Sequence, residues 1–114
     1  MEFIYHTSEK GNFVELKKAS LFIDSIEKGA DLAADVYYNQ LDGLILHKED
    51  IHDDFFELKS GFAGELLQKF SNFRLQLVIV GDFSNLTSKS IQDFIRESNA
   101  LKRINFINSL DKWI

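Results

Sequence analysis

The 114-residue chain has no cysteine, no proline, and a single methionine and tryptophan. Without cysteine there is no disulfide, thiolate metal site, iron–sulfur ligation or cysteine nucleophile, and the composition fits a reducing compartment. Without proline, turns must be made by Gly, Asn, Asp and Ser, and no helix is broken by a ring. No stretch approaches the ~20 apolar residues that span a bilayer, and no basic segment leads into an apolar one at the N-terminus. A soluble, cytoplasmic protein with no membrane partner is therefore expected. Basic residues are in deficit, 13 Lys+Arg against 18 Asp+Glu, for a formal charge of −5. Gripping a phosphate backbone demands clustered Lys and Arg, so nucleic acid is not expected as a partner.

What the chain does have is apolar bulk. Leu, Ile, Phe and Val make up about a third of it, well above the roughly 20% below which chains stay disordered. Domains of about 100–150 residues are the commonest, so residues 1–114 read as one domain.

The element pattern is readable along the whole length. Glu2–Thr7 and Asn12–Lys17 are short, aromatic and β-branched, and Ser8-Glu9-Lys10-Gly11 between them is a turn cluster. Together they predict a hairpin. From Asp24, the residues Ile26, Ala30, Ala33, Tyr37 and Leu41 fall on one helix face, with Asp24 and Glu27 as a capping box. Asp42-Gly43 ends that helix, and Leu44-Ile45-Leu46-His47 reads as a buried strand. A second helix is expected from Ser60 to Phe70, with a turn over 53–58 before it. Leu75–Val80 is the clearest strand, apolar enough to be covered on both faces. A third helix, Ser88–Leu101, should face inward through Ile91, Phe94, Ile95 and Leu101. A strand at Ile104–Ile107 and a short helix over 109–114 close the chain.

The order β-β-α-β-α-β-α-β-α implies an α/β fold: a mixed, mainly parallel sheet of about five strands with helices packed on it. Sites in such sheets lie beyond the carboxyl ends of the strands. Here these ends carry His47-Lys48-Glu49 and Gly81-Asp82-Phe83-Ser84. His47, Asp82 and Ser84 could bring an imidazole, a carboxylate and a hydroxyl to one ligand pocket. No G-x-S-x-G elbow, phosphate-binding loop or dinucleotide turn accompanies them, so no catalytic residue is assigned. The acidic stretch holding His47, Asp50, His52, Asp53 and Asp54 matches no metal-ligand spacing, and acids before a helix are expected from its dipole alone. Neither metal nor cofactor is expected. Phe55, Phe56, Phe62, Phe70, Phe73 and Phe83 lack the basic groove of a nucleic-acid stacking platform and read as core. Ser60 can cap the second helix by accepting from a backbone N–H two or three residues on.

Leu58–Ser84 (LKSGFAGELLQKFSNFRLQLVIVGDFS), Thr87–Asn99 (TSKSIQDFIRESN) and the upstream LILHKEDIHDDFFE resemble the DUF4180 family, uncharacterised bacterial domains of unknown function. That resemblance implies a bacterial, stand-alone cytoplasmic domain and brings no assigned activity. The element order is also similar to the sulfate-transporter and anti-sigma-factor-antagonist (STAS) domain. Its regulatory serine opens the second helix, where this chain has Lys59-Ser60-Gly61-Phe62-Ala63-Gly64. Leu58-Lys59 replace the acid and serine that usually precede it, and the connection over 48–59 is longer than in that family. The likeness implies a non-enzymatic regulatory or protein-interaction module. In it Ser60 would be a phosphoacceptor, with Gly61 and Gly64 letting a protein partner approach, a second copy of the chain being one form of that partner. The other expectation, a ligand-binding or hydrolase-like protein, rests on His47, Asp82 and Ser84.

Overall fold

In the computed structural model of the chain, the aromatic and β-branched residues at its start form an antiparallel hairpin, β1 (Phe3–Ser8) and β2 (Gly11–Leu16). The structure describes residues 2–17, 20–102 and 104–113. Helices and strands then alternate: α1 (Ile26–Tyr38), β3 (Gly43–His47), α2 (Phe62–Asn72), β4 (Gln76–Val80), α3 (Lys89–Leu101) and β5 (Ile104–Ile107). Three short 3-10 turns, Lys48–Asp50, Asp53–Phe56 and Leu58–Ser60, fill the connection from β3 to α2. The expected terminal helix is a 3-10 turn at Leu110–Lys112, and Ile114 lies outside the described residues.

Spatial strand order equals chain order, β1-β2-β3-β4-β5, with β1–β2 antiparallel and the other pairs parallel. The sheet is therefore mixed and mainly parallel, as the element order predicts. Its three crossovers each step one strand in the same direction. Right-handed crossovers taken one way lay their helices on one face. On that face Val14, Leu44, Leu46, Leu77 and Ile79 bury against Leu32, Val36, Leu66, Phe70 and Ile91 of the helices. The alternate residues Phe13, Ile45 and Val78 form a second, smaller core on the opposite face. Among the described residues no α-helix covers it; Val80 and Ile107 of the sheet and Leu110 and Trp113 beyond it pack against this core, and Lys10 clamps the last of these. The Lys10 ammonium donates to the Trp113 carbonyl at 2.7 Å and stands 3.8 Å above its ring.

Two helix faces differ from the sequence expectation. In α1 the N-cap is Ser25, whose Oγ accepts from the Lys28 N–H at 3.1 Å. Asp24 instead pairs with the Lys28 ammonium at 2.9 Å, so the Asp24–Glu27 capping box does not form. The buried stripe of α1 is Gly29, Leu32, Ala33 and Val36, whereas Tyr37 is half exposed. The rotation follows from Gly29: a Cβ there would overlap Leu66 Cδ1 of α2, so the bare glycine edge is where the two helices meet. In α3, Ile91 and Ser98 are buried but Leu101 is 68% exposed. Ten residues of helix place Leu101 about 80° off the stripe through Ile91, while Ser98 falls about 20° from it.

Candidate functional site

The long β3–α2 connection is held by turn chemistry. His52 Nδ1 accepts from the Asp54 N–H at 3.0 Å and opens the turn at Asp53–Phe56. Phe55 and Phe56 anchor that turn in the core. They pack on one another and, with Phe83 and Phe106, form a continuous aromatic cluster, so the phenylalanines of this region are core.

Helix α2 starts at Phe62, two residues later than expected. Ser60 precedes it, exposed, with its Oγ donating to the Asp54 carbonyl at 2.7 Å and accepting from the Phe62 N–H at 3.1 Å. The hydroxyl thus makes the expected bond two residues on, although the N-cap position belongs to Gly61. Gly61 has φ 78°, a left-handed conformation that glycine takes at no steric cost. Gly64 is different. It is helical, exposed, and nothing lies within 4 Å of where its Cβ would stand. Neither backbone conformation nor internal packing requires glycine there, and glycine inside a helix costs about 1 kcal/mol relative to alanine.

Beyond the carboxyl ends of β3 and β4 the sequence-predicted residues follow separate paths. Asp82 Oδ1 accepts from both the N–H (3.0 Å) and the Oγ (2.6 Å) of Ser84. The Ser84 side chain, then its backbone N–H, and more weakly the Lys48 charge hold Asp82 below the usual carboxylate range. Lys48 reaches across to donate to the Asp82 carbonyl at 2.8 Å and to Asn85 Oδ1 at 3.0 Å. A shallow cavity of about 710 Å³ lies here, lined by Lys48, His52, Asp53, Asp82 and Asn85 among others.

His47 points elsewhere. Its Nε2 lies 2.6 Å from Glu15 Oε2, and the Nε2 of His6 lies 2.8 Å from Glu15 Oε1. Register explains the array. Glu15 sits opposite Ile4 on β1 and Ile45 on β3. His6 and His47 are each two residues from those positions, so both meet the carboxylate diagonally on the helix-free face. Glu15 is only 9% exposed. Burial, the largest single influence, would raise its pKa. The hydrogen bonds from His6 and then His47, with the attraction of both imidazoles, outweigh that and hold the carboxylate below its ordinary value. An ionised carboxylate only accepts, so each imidazole donates to it from Nε2.

Sequence reasoning named His47 but neither Glu15 nor His6, the other two members of this array. The signal was the acid in Asn12-Phe13-Val14-Glu15-Leu16, where Glu15 shares a strand face with Phe13. A carboxylate at such a position needs a buried partner, and two of the chain's three histidines lie on neighbouring strands. Asp50, from the same acidic stretch, is 2% exposed and accepts from the His47 N–H at 3.0 Å. Among the described residues no group of three or more His, Asp or Glu is placed to hold a metal ion. Nor is any helix among them long and apolar enough to cross a membrane.

No curated protein and no solved structure matches the chain. Residues 8–114 match the family described as domain of unknown function (DUF4180). With β2 to β5 and all three α-helices inside that span and only Ser8 of β1 within it, the chain belongs to the DUF4180 family.

Proposed function

We propose that this protein is a non-enzymatic regulatory module of a bacterial cytoplasm, acting through a protein partner that docks on the start of α2. Gly64 carries the reading. The fold has no use for a glycine there, so its missing side chain is explained by something that approaches from outside. Ser60 is exposed too, four residues earlier, beside Lys59 and the N-terminal turn of α2, from whose Phe62 N–H its hydroxyl already accepts. A phosphate on Ser60 would forfeit the donation to Asp54 and gain the helix dipole, changing both the charge and the shape offered to the partner. The test is quantitative recovery of binding partners by wild-type protein and by Ser60→Ala, Ser60→Asp and Gly64→Leu. Partners lost with Gly64→Leu and altered only by Ser60→Asp support the module. Equal recovery by all four proteins rejects it. Sedimentation of the same variants separates a second copy of the chain from a different partner.

A second reading, a small-ligand-binding or hydrolase-like protein, draws on the cavity over Asp82 at the carboxyl ends of the strands. Because the His47 Nε2 is held by Glu15 and Asp82 holds Ser84, this reading favours binding over acyl transfer. Ligand-dependent thermal stabilisation lost in Asp82→Asn but kept in Ser60→Ala would favour it over the docking surface. Loss in neither would remove Asp82 from consideration.

A further inference from the structure

A cleft of about 600 Å³ separates α2 from α3 on the helix-covered side of the sheet. Leu67 of α2 and Phe94 and Leu101 of α3 wall it, over a floor that includes Leu77 and Ile104. The exposure of Leu101 is thereby given a place: it stands at the rim of a channel whose apolar wall is interrupted by Gln68, Ser71, Gln76 and Ser98. Two cations, Arg74 and Lys102, line the same cleft, one just past α2 and the other as the C-cap of α3. Helices α2 and α3 lead into the neighbouring parallel strands β4 and β5, so their C-terminal ends lie side by side. Both cations have left-handed backbones, φ 55° and 60°. Glycine or asparagine is the usual residue in that conformation at a helix end. Among the described residues neither side chain makes a hydrogen bond or an ion pair. Glu97 is the one carboxylate among the described lining residues, which leaves an excess of one positive charge among them on an acidic protein. At the far end lies Gly64, with empty space beside it. From Gly64 to Asn72, the last residue of α2, is eight residues, about 12 Å along the helix axis, with Arg74 just beyond.

We propose that this cleft binds a linear aliphatic carboxylate, its head between Arg74 and Lys102 and its chain along Leu67, Phe94 and Leu101 toward Gly64. Apolar walls alone would take any neutral oil, and cations alone any anion. The two together select an anion with a tail, and Glu97 disfavours a head carrying more than one negative charge. The site goes beyond the docking reading and does not depend on Ser60. It does share Gly64 with that surface, so an occupied cleft would fill the notch a partner uses.

The experiment is a titration of ¹⁵N-labelled full-length protein with decanoate, followed by amide shifts, with decanol as the uncharged control. Saturable shifts at Gly64, Leu101 and Lys102 are expected, with decanol at least about ten-fold weaker. Arg74→Gln and Lys102→Gln should each weaken decanoate by about five-fold, the scale of an exposed charge contact, with unchanged thermal stability. Gly64→Phe, at an exposed position with open space, should shorten the chain accepted, so that hexanoate still binds and decanoate is lost. Equal binding of decanol, shifts confined to the helix-free face of the sheet, or no saturation below micelle formation would each overturn the assignment.

Discussion

Helix α2 has a neighbour on either side in its layer and meets the two in opposite ways. Against α1 it closes completely, because Gly29 presents no side chain and Leu66 fills the space. Against α3 it stands off, leaving a channel walled by Leu67 and Phe94 and ended by two cations. Both seams rest on the same sheet and are built from similar apolar residues. The difference lies in single positions. A glycine that the fold needs draws one pair of helices together, while in the other seam the glycine, Gly64, faces empty space.

Substitutions should separate the seams by the size of their effects. Leu66→Ala, in a fully buried closed seam, should cost about 2–5 kcal/mol in a denaturant melt. Gly29→Ala forces a methyl onto Leu66 Cδ1 and should cost about 1–2 kcal/mol, overpacking less the gain in helix propensity. Combining the two should be milder than their sum by about 1–3 kcal/mol, since the truncated leucine vacates the space the new methyl needs. Strict additivity would mean that the seam is not set by this contact. In the open seam the sign reverses: Gly64→Ala should stabilise by about 0.5–1 kcal/mol, and a loss of stability would show that the channel is closed at that end.

The smallest effect is expected away from both seams. Glu15 has a folded pKa below its unfolded value of 4.5. Its stabilising contribution is complete above the unfolded value and is lost as pH falls through the folded one. Glu15→Gln should therefore flatten the acid limb of the stability profile below about pH 5, while Gly64→Ala shifts that profile without changing its shape.

How far the sequence reached depends on the range of the interaction involved. The strand at Ile104–Ile107 and the alternation of elements follow from local periodicity and were legible residue by residue. The turn of α1 about its axis was not, because it answers to Leu66 across a helix interface that no local pattern encodes. The same holds at the sites. The Ser60 bond to the Phe62 N–H is a contact of two residues and could be anticipated. The bond from His47 to Glu15 joins residues 32 apart in the chain and depends on the pairing of β2 with β3. Alternation put His47 on a strand end but could not say which carboxylate it would meet. Arg74 and Lys102 converge only because β4 and β5 are neighbours in the sheet.

A sheet whose spatial order repeats its chain order never has to insert a later strand between two earlier ones. Each crossover can dock on the open edge left by its predecessor, so no step of assembly has to open a pairing already made. Every pairing is made with the strand just finished, which keeps each loop that must close as short as a crossover allows. The same property leaves β5 as the last edge to be laid down.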